Sequence, residues 1–211
     1  VTPKQLLSSF FESNKSFLLK NYPGLGLSRL ENELNYFLDI NFDSSISNVE
    51  KFLSFLSQGL PLEQINHSAY FYKSQFYINQ NVLIPRSETE ILVEKSVDYI
   101  NTHYKDDVSI CDIGTGTGAI ILSVVLETKT MNINALASDI SEDALEVAKI
   151  NYFRSRLEHK ENCNVSFVLS DRLKSIGDKF DVILSNPPYI KEDIDRSKVH
   201  GQVHLYEPHL A

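Results

Sequence analysis

The segment Asn186-Pro187-Pro188-Tyr189, directly after an apolar run, carries the clearest chemical signal in the sequence. Two consecutive prolines remove two backbone donors, and the residue before a proline is held extended. We expect a rigid corner at which the Asn186 carboxamide, two backbone carbonyls and the Tyr189 ring face one small space. This corner suits a planar –NH2 group, because oxygens accept its hydrogens while the ring packs on its face. An amide or aromatic amine nitrogen is a poor nucleophile, so it must be positioned before it can attack.

A glycine-rich turn, Gly114-Thr115-Gly116-Thr117-Gly118, follows a second apolar run that ends at Asp112. Glycines let the backbone approach a ligand closely, and the N-terminus of the following helix offers free N–H groups. Alone the turn is ambiguous, because Gly114, Gly116 and Ala119 also satisfy the looser dinucleotide pattern. Asp139, at the end of the next predicted strand, is placed to accept ribose hydroxyls in either cofactor class. The pattern predicts a nucleoside-containing cofactor.

Three further charged residues each have a functional and a structural interpretation. Asp171 follows the third predicted strand and is either a helix N-cap or a residue near the adenine edge of the cofactor. Arg86 and Glu88 lie in the segment 85–90, where Ser87 and Glu90 form a predicted capping box. The box explains Glu90, so only Arg86 and Glu88 remain for a role on the substrate side, and a solvated helix start is the alternative.

Composition and charge narrow the class of protein. The 211 residues suffice for one full domain and a small one, and 42% hydrophobic with 23% charged residues are ordinary for a soluble protein. A net charge of −8 argues against broad non-specific nucleic-acid binding. Cys111 and Cys163 lack a Cys-x-x-Cys partner, so we expect buried thiols and no metal site. No membrane or export signal is evident, and a cytoplasmic location is expected.

The first part of the chain is predicted to be helical up to residue 62. Thr2 is a predicted N-cap followed by Pro at the first helical position, and capping boxes are predicted at Ser28–Glu31 and Ser47–Glu50. Residues 63–85 change to a period of two and predict a β-hairpin linker. Its short strands are expected at 70–72, 76–78 and 82–84.

From residue 86 to 211 strands and helices alternate. The predicted strands are 108–113, 133–138, 165–169 and 180–185, and the helices between them include 119–126 and 141–155. Alternation of this kind predicts right-handed βαβ crossovers and a Rossmann-like, doubly wound parallel sheet of the α/β class. Ligands bind at the carboxyl ends of such strands. Asp112, Asp139, Asp171 and Asn186 all lie at or just beyond those ends, and we expect them around one crevice.

The glycine turn and the Asn-Pro-Pro-Tyr corner together resemble the S-adenosylmethionine-dependent methyltransferases that act on exocyclic or amide nitrogens. Val82-Leu83-Ile84-Pro85-Arg86-Ser87-Glu88-Thr89-Glu90, behind a helical module and ahead of Val203-His204-Leu205-Tyr206-Glu207-Pro208, is similar to the HemK/PrmC family of release-factor glutamine N5-methyltransferases. The resemblance implies an enzyme that transfers a methyl group to a glutamine side-chain amide of a peptide chain release factor. It also implies no direct nucleic-acid partner and a helical N-terminal domain that recognises the substrate.

The resemblance also implies roles for individual residues. The implied catalytic residues are Asn186, Pro187 and Tyr189. The implied substrate contacts are Asn186, Pro187, Pro188, Tyr189, Arg86 and Glu88. The implied contacts to S-adenosylmethionine are Asp112, Gly114, Thr115, Gly116, Gly118, Asp139, Ile140, Asp171, Arg172 and Asn186.

Two alternatives stay open. An adenine-N6 methyltransferase of DNA or RNA would place a nucleobase in the same corner, and a non-catalytic module would bind cofactor without turnover. The family's methyltransferase domain continues beyond the Glu-Pro segment with further strands, whereas this chain stops at Ala211. We therefore expect a sheet without its C-terminal strands. Its open edge leaves three alternatives: low activity, pairing of two copies along that edge, or further residues beyond Ala211.

Overall fold

The computed structural model describes residues 2–187 and Pro208. Within this part the chain divides into two compact units, the first ending at His67 and the second beginning at Ser68. No helix of the described residues has the length and apolar character needed to cross a membrane.

The first unit is built from five helices around its own apolar core. They are α1 (Pro3–Ser13), α2 (Lys15–Asn21), α3 (Leu27–Ile40), α4 (Ile46–Ser57) and α5 (Leu62–Ile65). Leucine and phenylalanine side chains at helical spacing, among them Leu30, Leu34, Phe37 and Phe52, form the buried cluster. The predicted start of α1 is confirmed, because Thr2 Oγ1 accepts from the Gln5 backbone N–H at 3.2 Å.

The two capping boxes predicted for α3 and α4 are wrong. Helix α3 begins at Leu27 after Gly26, which places Ser28 inside the helix. Helix α4 is capped by Ser45, whose Oγ accepts from the Asn48 N–H at 3.3 Å. Asp43 decides this start, because its carboxylate accepts from both the backbone N–H and the hydroxyl of Ser45 and holds that residue extended ahead of the helix.

The second unit opens with a two-stranded antiparallel hairpin, β1 (Ser68–Phe71) and β2 (Ser74–Tyr77). The third predicted strand at 82–84 is absent from it. Val82 and Ile84 instead pack as loop residues into a small buried cluster with Ala144 and Val147, so the burial that suggested a strand arises from packing on a helix.

The rest of the second unit alternates strand and helix as predicted, except that its last two strands have no helix between them among the described residues. Its elements are α6 (Glu90–His103), β3 (Asp107–Ile113), α7 (Ala119–Glu127), β4 (Asn132–Asp139), α8 (Glu142–Ser155), β5 (Cys163–Leu169) and β6 (Val182–Ser185). The strands are all parallel in the order β5-β4-β3-β6, which confirms the Rossmann-like α/β sheet. β4 and β5 are added on one side of β3, and β6 lies on its other side. The point beside β3 at which the direction changes is where such sheets bind ligands.

The core of the second unit lies on one face of this sheet. Val93 and Ile100 of α6 and the apolar side chains of α7 pack there with Ile110 of β3 and Leu184 of β6.

Cys111 and Cys163 are free thiols, and burial raises the pKa of Cys111 to about 11. Cys163 is only half-buried, which corrects the expectation that both thiols are buried.

The start of α6 also differs from the prediction. Residues Ser87–Thr89 form a short 3₁₀ turn, and α6 begins at Glu90 without a side-chain cap. Glu90 therefore makes no capping box with Ser87. Its Oε1 accepts instead from the backbone N–H of Tyr72 at 2.9 Å, because Tyr72 has a φ of 56° in the hairpin turn and its N–H needs a partner from outside the ladder.

Candidate active site

A cavity of about 650 Å³ lies at the carboxyl ends of β3, β4 and β6. This volume is in the range of pockets that hold cofactors and drug-sized molecules, about 300–1,000 Å³. Its polar wall comes from residues 81–89, the glycine turn after β3, the residues after β4 and β5, and the corner after β6. The polar and charged residues in that wall are Asn81, Arg86, Thr89, Thr115, Thr117, Asp139, Ser141, Ser170, Asp171, Arg172, Ser185 and Asn186.

The glycine turn is held from below by the neighbouring strand. The N–H groups of Gly114 and Thr115 both donate to the Ser138 carbonyl at 2.9 Å. Gly114 and Gly116 have φ values of 72° and 52°, which other residues adopt only with strain. A Cβ at either position would have no atom within 4 Å, and both glycines line the cavity. These two glycines therefore leave backbone open to a ligand.

Gly118 differs from the other two glycines of the turn. A Cβ there would lie 3.1 Å from Leu122 Cδ1 and 3.3 Å from Ala148 Cβ, and Gly118 is not in the cavity wall. Its φ of 77° lets the chain enter α7 while α8 packs closely behind it. The family resemblance implied that Gly118 contacts the cofactor. The structure instead places Gly118 where α7 and α8 pack against each other.

Asp112 is completely buried beneath the turn and does not line the cavity. Its Oδ2 accepts from the Thr115 hydroxyl at 2.8 Å, while Oδ1 has no hydrogen-bond partner among the described residues. Burial raises the pKa of Asp112 to about 7. The hydrogen bond from Thr115 lowers this pKa in part, and the charge of Asp139 raises it. Asp112 supports the turn from behind through Thr115.

Asp139 ends β4 and faces the cavity. Its Oδ2 accepts from the Gly116 N–H at 2.8 Å and its Oδ1 from the Ser141 N–H at 3.0 Å. These bonds fix the carboxylate, and each oxygen keeps a lone pair that can accept from a further donor. Ile140 lies next to it in the same wall with 53% of its surface exposed. This pair offers an anchored acceptor beside an apolar surface.

Asp171 and Arg172 follow β5 and also line the cavity. No helix begins at Asp171, so the helix-cap interpretation fails. Its carboxylate accepts from the Lys174 ammonium and from Arg172 Nε, at 3.1 Å for Arg172. The Lys174 bond, followed by the Arg172 bond, lowers the pKa of Asp171. Asp171 therefore stays ionised at the cavity edge.

The corner after β6 reaches the same cavity through Asn186 and Pro187. Asn186 is half-buried, and its Nδ2 donates to the Thr89 hydroxyl at 3.5 Å. Arg86 lines the cavity, whereas Glu88 is exposed and lies outside its wall. Pro188 and Tyr189, the other half of the predicted corner, lie outside the described residues.

Several wall residues had no individual sequence signal. The apolar part of the wall includes Phe71, Val82, Leu83, Pro85, Ile120, Ala144 and Leu173. Thr89 belongs to the segment 85–90 that the sequence singled out, but only Arg86 and Glu88 of that segment were assigned. Among residues 2–187 and Pro208, no cluster of three or more His, Cys, Asp or Glu could hold a metal ion.

Comparisons with known proteins agree with this geometry. The Methyltransferase small domain family matches residues 89–203. Proteins named release factor glutamine methyltransferase are similar to the chain: that of Clostridium acetobutylicum is 36% identical over 80% of this chain and 57% of its own length. Those of Chlorobaculum tepidum and Leptospira interrogans are 34% and 38% identical, each over 89% of this chain and 64% and 63% of their own lengths. The chain thus spans about three fifths of these relatives.

Solved structures resemble the chain more distantly. A SAM-dependent methyltransferase from Agrobacterium tumefaciens aligns with a TM-score of 0.44 at 20% identity, over 54% of this chain and 37% of the other. The family match supports S-adenosylmethionine as the cofactor. The chain belongs to the Methyltransferase small domain family.

Proposed function

We propose that this chain carries the catalytic domain of a protein-(glutamine-N5) methyltransferase that acts on a peptide chain release factor in the cytoplasm. The observation that carries the proposal is the shared cavity, which Asn186 of the corner and Gly114 and Gly116 of the glycine turn line together. The names of the related proteins support a release-factor glutamine as the acceptor. Within the proposal, residues 1–62 recognise the substrate and residues 63–85 link them to the methyltransferase domain.

The cavity wall fits S-adenosylmethionine, whose sulfonium supplies an electrophilic methyl group. Asp139 is proposed to accept the ribose hydroxyls, and the bonds to both its oxygens from backbone N–H groups support this role. Gly114 and Gly116 leave room for a ligand to lie against the turn. Ile140 and Leu173 offer apolar surface to an adenine ring, with Asp171 at its edge.

Asn186 and Pro187 are proposed to hold the substrate amide. The Asn186 Nδ2 donates to Thr89, so its Oδ1 is the atom that can accept a hydrogen from a substrate –NH2 group. The Pro187 carbonyl is the second acceptor, and the resemblance assigns the Tyr189 ring to the flat face of the amide. Arg86, in the same wall, is proposed to contact the substrate chain.

Alignment supplies most of the acceleration in this mechanism. When bound, S-adenosylmethionine would supply the methyl group: the amide nitrogen held by Asn186 and Pro187 would bond to the methyl carbon as the bond from that carbon to sulfur breaks in line with it. No strong general base is needed, because the nitrogen becomes acidic once it carries the methyl group and then loses its proton to water. Holding the two groups in register is worth roughly 7–11 kcal/mol in favourable cases.

The proposal is tested by incubating the protein with methyl-labelled S-adenosylmethionine and either a release factor, DNA or RNA. Mass spectrometry of the digested release factor should find the label on a glutamine side chain. Label on nucleic acid instead would support an adenine-N6 methyltransferase. Cofactor binding by calorimetry without transfer to any substrate would leave a binding module.

The role of Asn186 is tested in the same assay with Asn186→Ala. The rate should fall by about 10²–10³, as for the loss of one well-placed polar group in an active site. The control is Asn164→Ala, which removes an exposed asparagine of β5 outside the cavity wall. A rate for Asn186→Ala within about tenfold of the unaltered protein would rule out the assigned role.

A further inference from the structure

Asn151 of α8 makes three hydrogen bonds that connect two separate parts of the second unit. Its Oδ1 accepts from the Tyr77 N–H at 2.6 Å, and its Nδ2 donates to the Tyr77 carbonyl at 2.9 Å and to the Thr117 carbonyl at 2.9 Å. Only 3% of Asn151 is exposed. One buried amide therefore binds the end of the hairpin and the glycine turn at once.

The packing around Asn151 follows the same division. One helical turn earlier, Ala148 packs against Gly118 of the glycine turn. Ala144 and Val147 pack against the loop that follows the hairpin, in a buried cluster with Ile78, Val82 and Ile84. One helix thus supports both segments, and Asn151 supplies the directional bonds that apolar contacts cannot provide.

Both of these segments contribute residues to the cavity wall. The loop after the hairpin contributes Asn81, Leu83 and Arg86 to it, and the glycine turn contributes its residues from Gly114 to Thr117. Asn151 itself is not in the wall. Its bonds lie behind both segments, where they can set the distance between them without touching a ligand.

We propose that Asn151 is a positioning residue that keeps the linker hairpin and the glycine turn in a common register, so that the hairpin responds to a ligand bound at the turn. The proposal rests on the proposed function only for the identity of the ligand, an adenosyl cofactor. Binding at the turn then orders the hairpin that leads to the proposed substrate-recognition domain.

Asparagine is suited to this position by its hydrogen-bonding groups. The three bonds use its acceptor and both of its N–H donors. Aspartate has the same shape but no donor, so it would place a carboxylate against the carbonyls of Tyr77 and Thr117. Serine keeps one hydroxyl and can satisfy only one of the two segments. Both replacements leave buried backbone groups unpaired, which is the costly outcome for a buried polar group.

The experiment compares Asn151→Asp and Asn151→Ser with Thr130→Val. The control removes the hydroxyl of Thr130, a residue as buried as Asn151. This hydroxyl donates to the Tyr104 carbonyl at the end of the sheet opposite the cavity. Hydrogen exchange of backbone amides is followed in residues 74–78 and 114–119, with and without S-adenosylhomocysteine, and its dissociation constant is measured by calorimetry.

In both Asn151 variants, exchange should quicken in the two segments together by about tenfold or more, and the dissociation constant should rise by about tenfold. Saturating ligand should slow exchange at Tyr77 in the unaltered protein but not in Asn151→Asp. Thr130→Val should leave both segments and the binding unchanged.

Three results would overturn the proposal. One is faster exchange in the hairpin alone, another is the same change in Thr130→Val, and the third is ligand protection at Tyr77 that persists in Asn151→Asp. If the unaltered protein fails to bind S-adenosylhomocysteine, the proposed cofactor is wrong, and the ligand-free exchange of the two segments still decides the role of Asn151.

Discussion

The Asn186 amide and the Thr89 hydroxyl, 97 residues apart in sequence, are joined by a hydrogen bond of 3.5 Å at the cavity. Thr89 accepts from Nδ2 and thereby turns Oδ1 away from itself. This orientation matters because a carboxamide offers a donor on one side and an acceptor on the other. The proposed reaction needs the acceptor to face the substrate.

Replacing Thr89 by valine should therefore slow methylation and leave cofactor affinity unchanged. The loss of one neutral hydrogen bond predicts a rate about three- to tenfold lower, measured with saturating cofactor. Thr89→Ser keeps the hydroxyl and should recover most of the rate. Equal rates for the valine and serine variants would show that Thr89 does not orient Asn186.

Replacing Asp139 by asparagine should weaken cofactor binding. The change removes the negative charge. It also places an –NH2 group against the backbone N–H of either Gly116 or Ser141, both of which donate to the carboxylate in the unaltered protein. Bonds to charged groups are worth about 1.5–3 kcal/mol, so the dissociation constant of S-adenosylhomocysteine should rise roughly ten- to 150-fold by calorimetry. Asp143→Asn, an exposed position in the first turn of α8, is the matched control and should bind normally.

Gly118→Ala should destabilise the fold. The added Cβ would meet Leu122 at 3.1 Å and Ala148 at 3.3 Å, at a φ of 77° that alanine adopts only with strain. Overpacking and backbone strain of this kind cost about 1–3 kcal/mol each, measured as the free energy of unfolding in urea. Gly177→Ala meets no atom within 4 Å and needs no positive φ, so it should change stability little. A Gly118→Ala protein as stable as Gly177→Ala would contradict the packing role.

The buried carboxyl of Asp112 should make stability fall as the pH rises. Its pKa is about 7 in the folded protein, and an aspartate in an unfolded chain titrates near about 3.9. Between these values the folded state keeps a proton that the unfolded state has released, so raising the pH lowers the free energy of unfolding. The decrease from about pH 4 to above pH 7 amounts to roughly 4 kcal/mol at most.

Urea unfolding at pH 5 and pH 8 measures this effect by comparing the unaltered protein with Asp112→Asn. The asparagine cannot release a proton, so its free energy of unfolding should fall less between the two pH values. Asp178→Asn, at an exposed position, should follow the unaltered protein. Parallel pH profiles for the unaltered protein and Asp112→Asn would show that Asp112 does not titrate in this range.

The three capping boxes that were predicted from the sequence are all wrong. The serine at 28 fits the capping pattern, but α3 starts at Leu27. Ser47 fits it too, but Asp43 holds Ser45 as the cap. Glu90 fits a third capping box, and its carboxylate instead binds the Tyr72 N–H from the hairpin. At Ser47 and Glu90 a pattern of four residues predicted a local bond, and neighbouring or distant groups offered a better partner.

The sequence alone determined the alternating strands and helices up to β5 and the glycine turn, because these follow from residue periodicity and from the backbone freedom of glycine. The end of β6 directly before Asn186 also agrees with the sequence, and the rigid corner beyond it stays a prediction. Only the tertiary structure decided which residues of the same type line the cavity and which are buried behind it. Gly116 faces the cavity while Gly118 packs between helices, and Asp139 lines the wall while Asp112 is buried beneath it. Those differences depend on which side chains the fold brings close, as do the bonds of Thr89 and Asn151 to partners far along the chain.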